Sequence, residues 1–311
     1  MAGDPARVIV FAGKGGVGKT TCAAATALKY SLHGLKTLVI STDATPSLAH
    51  IFEISPDAKP AGVKENLYFS ELGIDEVKQM WDGKFGRDVY HVFSSFVDID
   101  YPQFVDFMAS MLPGMAEEFM VDYIRELSAG SDYQAIVWDT APLGQTLALL
   151  GTPALLVRHL KMAPRIYTRL KAGAGTREPI LDIIRRWEAL SAVDIDFLRS
   201  GVDFNLVAIP EALAVNQLDG ILAEMKIHGF NVSRLIVNNV VKDGDSVFLR
   251  KKAGQQAGYL GLIREKYSGL HVAELPLFPL EVKGLERLGK IAGYSDSFVG
   301  RGCKRKRDLP K

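Results

Sequence analysis

Nine consecutive residues, Gly13-Lys14-Gly15-Gly16-Val17-Gly18-Lys19-Thr20-Thr21, are the part of this chain whose types and spacing most clearly do chemistry. Gly13, Gly18, Lys19 and Thr20 occupy the defined places of the pattern G-x-x-x-x-G-K-[ST]. A short β-branched and aromatic run, Arg7–Phe11, precedes them, and an alanine-rich stretch of good helix propensity, Cys22–Leu32, follows. Strand, glycine loop and helix in that order aim backbone N–H groups and a helix N-terminus at one point, which suits phosphate oxygens. In such a loop Lys19 reaches the β- and γ-phosphates of a nucleotide, and the Thr20 hydroxyl sits on Mg²⁺.

Two carboxylates complete the set. Val39-Ile40-Ser41-Thr42-Asp43 ends an apolar run on an acid placed to orient water in line with a γ-phosphate. The same Asp43 could instead cap the following helix, a frequent use of aspartate after a strand. Ala135-Ile136-Val137-Trp138-Asp139 has the Walker-B form, whose carboxylate holds Mg²⁺ directly or through its waters. Gly144, a few residues on, is the glycine expected of a switch that senses the γ-phosphate.

These groups need a scaffold that brings strand ends together. Strand-like runs, most of them Val/Ile/Leu-rich and without alternation, occur at Arg7–Ala12, Thr37–Ser41, Leu67–Leu72, Ala135–Asp139, Leu206–Ile209, Leu235–Asn238 and His271–Leu275. Such runs read as strands covered on both faces, and helical stretches between them give repeated βαβ units. The expected fold is therefore α/β, a doubly wound, mostly parallel sheet with ligands at the carboxyl ends of its strands. Two intervals, about residues 76–130 and 153–203, far exceed the roughly dozen residues that a crossover needs and look helical. They are expected to form one helical subdomain inserted into a single phosphate-loop domain spanning residues 1–311. Residues 301–311 read as a basic, disordered tail.

Bulk properties exclude several classes. The 311 residues carry 48% hydrophobic and 23% charged side chains, an ordinary globular composition. A net charge of +1 gives no general drive toward nucleic acid or anionic membrane. No apolar run approaches the about 20 residues of a membrane span, and no basic-then-apolar leader opens the chain. With only two cysteines, Cys22 and Cys303, a disulfide framework and a four-thiolate zinc site are both excluded within one chain. The expected location is cytoplasmic.

Gly13–Thr21, Ser41-Thr42-Asp43 and Asp139-Thr140-Ala141-Pro142-x-Gly144-x-Thr146-Leu147 together resemble the arsenical-pump ATPase and tail-anchored-protein targeting ATPase family, over nearly the whole chain. The lysine after the first loop glycine is similar to that of the deviant phosphate loops of signal-recognition, MinD and BioD NTPases. The resemblance implies that Lys14 crosses a homodimer interface to the partner's ATP. It also implies that Asp43 orients water, that Thr20 and Asp139 serve Mg²⁺, and that Glu211 lines the nucleotide and dimer interface. Asn238 would read adenine, beside a loop at Pro276. The family's histidine after the second strand is missing, since Asp43 is followed by Ala44-Thr45-Pro46-Ser47. Gln145 stands where a second histidine is common. Targeting members often share a zinc through a Cys-x-x-Cys pair. The matching stretch here is Ser246-Val247-Phe248-Leu249, so no structural zinc is expected.

The helical intervals bear on what such an ATPase acts on. Phe104, Met108, Met111, Met115 and Phe119 cluster in the first, and Ile183 and Trp187 belong to an apolar set in the second. Pattern alone is satisfied by helices packing on a sheet. Flexible methionine also suits a surface that accepts varied apolar partners. The family resemblance implies the second: a composite groove, joined across the dimer, for the transmembrane helix of a tail-anchored protein, with a membrane receptor as a further partner. A ParA- or MinD-like positioning ATPase, gated by ATP to bind a surface, is the alternative. An arsenite-stimulated pump ATPase fits less well, because two cysteines cannot supply the several thiolates a soft metalloid needs. No specific nucleic-acid partner is expected.

Overall fold

A computed structural model describes residues 4–42, 47–94, 98–111, 113–130, 132–140, 174–242 and 244–294. The chain divides into two compact units. The first comprises residues 1–73, 127–146 and 201–311, and the second residues 74–126 and 147–200.

The first unit is built on an eight-stranded sheet in the order β3-β4-β2-β5-β1-β6-β7-β8. Its strands are β1 (Arg7–Gly13), β2 (Thr37–Ser41), β3 (Ala61–Lys64), β4 (Leu67–Glu71), β5 (Ala135–Asp139), β6 (Val202–Ala208), β7 (Val232–Val240) and β8 (His271–Pro276). All neighbours are parallel except β3 and β4, so the expected α/β fold is what the chain adopts. Every residue of β2 and β5 is buried, as the absence of alternation in their sequences required.

Three details depart from the sequence reading. β3 was not foreseen: it is a four-residue edge strand containing Gly62 and Lys64, too short and polar to register as a run. It folds back on β4 through Glu65-Asn66, with Asn66 in the left-handed region at φ 61°. β6 begins at Val202 rather than Leu206, because the polar residues in its first half are paired. Arg7 Nη2 donates to Asp203 at 2.6 Å, and Ser233 Oγ reaches Asn205 at 3.4 Å. β7 likewise starts early, at Val232.

Helix α1 (Lys19–Leu32) is buried over most of its circumference, which its alanines permit by letting backbones approach closely. It packs on β1, β2 and β5, on the short α2 (Leu48–Phe52), and on the chain's last described helix, Gly284–Tyr294.

The second unit is helical. Its described elements are α3 (Ile74–Trp81), a π-helical turn at Asp82–Gly86, α4 (Arg87–Ser94), α5 (Tyr101–Met111), α6 (Pro113–Ala129, whose last turn lies in the first unit) and α7 (Ala174–Ser200). Phe104, Phe119, Met120, Ile124, Ile183 and Leu198 are among its buried apolar residues. It also buries charge. Arg125 donates to Asp122 and, at 2.6 Å, to Asp194, while Lys84 pairs with Asp122 and with Glu126. Asp122 and Asp194 are almost wholly inaccessible, so these pairs offset a large desolvation cost.

Candidate active site

Parallel strands put their carboxyl ends on one edge, and there lie the loop after β1 and, among the described candidates, Asp139, Asn238 and Pro276. β1 runs directly into the loop at Gly13, which is paired with Val207 of β6. A Cβ on Gly13 would collide with the Val207 carbonyl, so glycine is needed for the strands to stay in register. Gly16 and Gly18 hold left-handed backbone at φ 75° and 93°, and the second caps α1. That cap makes no side-chain hydrogen bond, and α1 has no acid in its first turn. The N-terminal amides and the positive end of the helix dipole are thus left for an anion. Nothing stands within 4 Å of where Cβ atoms on Gly15 and Gly16 would lie, so the loop's outer wall is open.

Lys19 is the first residue of α1 and is buried, with Nζ donating to the Lys14 carbonyl at 3.1 Å. This contact folds the loop around the ammonium. Val17 is buried beneath the loop, while Lys14 and Thr20 are half-buried at its surface.

The carboxylate of β5 is positioned by sheet register. Asp139 is level with Phe11 of β1 on one side and Ser41 of β2 on the other. Ser41 Oγ donates to Asp139 Oδ2 at 3.3 Å, and the Asp139 carbonyl accepts from the Thr42 amide at 3.2 Å. Trp138 Nε1 donates to Thr42 Oγ1 at 3.0 Å, and Thr140 Oγ1 donates to the Phe11 carbonyl at 2.8 Å. The end of β2, immediately before Asp43, is therefore tied to β5 through both backbone and side chain. A hydroxyl at Thr20 and a buried carboxylate at Asp139 are an oxygen donor set that fits a hard cation such as Mg²⁺. No group of three His, Cys, Asp or Glu side chains among the described residues could hold a metal by protein ligands alone.

On the far side of the loop, Asn238 Nδ2 donates to the Val17 carbonyl at 2.9 Å. A Cβ on Gly18 would run into that same amide. Pro276 ends β8 level with Val240 of β7. Glu211 caps helix α8 (Ala212–His228) from an exposed position, 3.9 Å from Lys252. Asp43 and Gly144 lie outside the described residues, as do Gln145 and the 301–311 tail. Of the groove residues, Phe104, Phe119 and Ile183 are buried in the helical unit and Trp187 is half-buried. Met108, Met111 and Met115 belong to α5 and α6, with side chains outside the described set.

A profile of the anion-transporting ATPase family matches residues 6–294 of this chain. The chain belongs to that family. It is an ATPase, and its sheet is that of a phosphate-loop NTPase. The ATPase is 32% identical to a Chlorobaculum tepidum protein bearing the name of an arsenical pump-driving ATPase, over 92% of this chain and 74% of the relative. It is 28% identical to ATPase GET3C of Arabidopsis thaliana, over 90% and 79% respectively. It is 27% identical to ATPase GET3 of Phaeosphaeria nodorum, over 91% and 93%.

Two features of the ATPase site were not legible in its sequence. Glu71, at the end of β4, accepts the backbone amides of Ser47 at 2.5 Å, Leu48 at 2.8 Å and Ala49 at 3.4 Å. It thereby caps α2 from another strand and anchors the chain just after the Asp43 segment; an acid at a strand end was the only available signal. The second is Gln256, whose role is developed below. Cys22 gives a further constraint. Burial, and secondarily the Asp139 charge, push its thiol up to about 12, so it stays protonated and unreactive at neutral pH. No described helix is long and apolar enough to cross a membrane.

Proposed function

We propose that this ATPase works as a Mg²⁺-dependent homodimer that binds and releases the transmembrane helix of tail-anchored membrane proteins. The observation that carries the reading is the compact helical unit of residues 74–126 and 147–200, interrupting the ATPase fold twice, in a chain that aligns over nine-tenths of its length with proteins named GET3. In this reading Phe104, Phe119 and Ile183, buried in the unit, hold its helices together, and contact with the client is assigned to Met108, Met111, Met115 and Trp187. A transmembrane helix cannot remain exposed in water, and two half-grooves joined across a dimer would cover it.

The chemistry follows from the strand ends. The α1 amides and Lys19 bind the phosphates of ATP and balance charge as the γ-phosphoryl leaves, and Lys14 adds a cation from the partner copy. Thr20 and Asp139 would hold Mg²⁺, which would supply further neutralisation of the phosphate charge. Asp43 orients the attacking water, giving ADP and phosphate. Hydrolysis then times client release.

The relatives named for arsenical pumps favour a second reading, coupling to anion export. Thiol chemistry opposes it: Cys22, the one described cysteine, is buried with its thiol pushed up to about 12 and is a poor metalloid ligand. Co-expression with a tail-anchored protein separates the readings. Recovery with this chain should require the client's C-terminal helix and rise in an Asp43→Asn variant that traps ATP. Absence of recovery from a variant with intact nucleotide binding would refute the targeting reading.

A further inference from the structure

The carboxyl end of β7 departs from ideal pairing at one point. Between the pairs Val237 with Glu274 and Val240 with Pro276, β7 advances three residues while β8 advances two. One extra residue is therefore accommodated as a bulge, and Asn239 takes left-handed backbone at φ 60°. Bulges beside active sites re-aim side chains. Here the residue entering the bulge is Asn238, whose amide reaches the Val17 carbonyl of the phosphate loop at 2.9 Å.

One described side chain, Gln256, bonds to this irregular backbone twice. Gln256 lies on α9 (Val247–Lys266) and is 3% exposed. Its Nε2 donates to the Asn239 carbonyl at 3.1 Å, and its Oε1 accepts from the Val241 amide at 2.8 Å. It thus takes one backbone acceptor and one backbone donor on either side of Val240, whose own carbonyl accepts from Leu277 at 2.9 Å. Glutamine is suited to this because one planar amide offers a donor and an acceptor together. Leucine would fill similar space and deprive the buried Val241 amide and the part-buried Asn239 carbonyl of this partner, a costly exchange.

We propose that Gln256 is a positioning residue for nucleotide binding: it holds the β7 bulge that aims Asn238 at the phosphate loop. Asn238 in turn pins the peptide preceding Gly18, the cap from which the phosphate-binding amides of α1 emerge. The inference rests on the reading of Gly13–Thr21 as the nucleotide site and of Asn238 as part of it. It adds a residue on a different helix that touches neither nucleotide nor loop.

The test is a double-mutant cycle read by calorimetric titration of ADP into the wild type, Asn238→Ala, Gln256→Leu and the double variant, with Lys19→Ala as control. Gln256→Leu is expected to weaken ADP binding about tenfold, a loss of about 1.4 kcal/mol. In the Asn238→Ala background the same change should cost less than about twofold, because its effect passes through Asn238. Equal losses in both backgrounds, or an unchanged affinity in Gln256→Leu, would overturn the proposal as a purely structural role. Unaltered binding in Asn238→Ala would remove Asn238 from the site and the proposal with it, whereas unaltered binding in Lys19→Ala would overturn the nucleotide-site reading itself. Should Gln256→Leu fail to fold, Gln256→Glu runs the same cycle. It keeps the acceptor for Val241 and loses the donor to Asn239, and is expected to show about a threefold loss confined to the Asn238 background.

Discussion

Replacing Glu71 by alanine should destabilise the ATPase by about 3–6 kcal/mol and slow hydrolysis without abolishing nucleotide binding. The figure comes from the geometry at α2. Two amides, Ser47 and Leu48, donate to Oε1 at 2.5 and 2.8 Å, both good hydrogen bonds, while Ala49 at 3.4 Å from Oε2 is marginal. Hydrogen bonds to a charged acceptor contribute about 1.5–3 kcal/mol each, and the two short ones carry nearly all of the effect. Glu71 is 7% exposed, so water cannot readily replace the lost carboxylate. Glu71→Gln separates charge from geometry: its carbonyl can stand where Oε1 stands, and the cost should fall to about 1 kcal/mol. Equilibrium urea denaturation measures the stability change, and steady-state ATPase turnover measures the consequence for the segment that bears Asp43. A Glu71→Ala protein within about 1 kcal/mol of wild type would refute the capping argument. Full turnover in a destabilised protein would refute its link to catalysis.

Lys19→Ala should abolish ATP binding, while Asp43→Asn should retain it and lose turnover by about 100-fold or more; filter binding and phosphate release separate the two, and normal turnover would discard Asp43 as the water-orienting group. Lys14→Ala should leave ADP binding intact and weaken ATP-driven dimerisation; an unchanged sedimentation profile with ATP would remove its cross-subunit role. Asp194 is buried against Arg125, with Asp122 and Lys84 nearby, and burial pushes its carboxyl from the ordinary 3.8 up to about 6. Because the folded value is raised, its favourable contribution is complete below about pH 3.8 and is lost as pH rises through about 6. Asp194→Asn should flatten that part of the stability profile, by at most roughly 3 kcal/mol, and an unaltered slope in urea titrations across the same window would refute the assignment.

Local patterns in the sequence carried much of this reading. The phosphate loop is contiguous, so its glycines, Lys19 and Thr20 declare themselves by spacing. Runs of apolar residues, most of them without alternation because buried parallel strands lack it, made seven of the eight strands recognisable. The eighth, β3, contains Gly62 and Lys64 and is held by its pairing with β4, a contact that no window along the chain contains. The early starts of β6 and β7 were hidden for a related reason. Asp203, Asn205 and Ser233 look like loop residues until Arg7 and neighbouring strands satisfy them.

What the sequence determined by itself was the class of chemistry, that of a phosphate-loop ATPase, and the mostly parallel sheet that carries it. These are short-range properties, set by residue type and by the periodicity of burial. Tertiary structure decided which distant groups support that chemistry. Register alone makes Asp139 level with Ser41 and Phe11, and strand order alone brings the Val207 carbonyl against Gly13. Glu71 reaches α2 across 22 to 24 residues, and Asn238 reaches Val17 across 221. Such contacts depend on where backbone amides and carbonyls point after folding, and backbone groups are the same in every residue but proline.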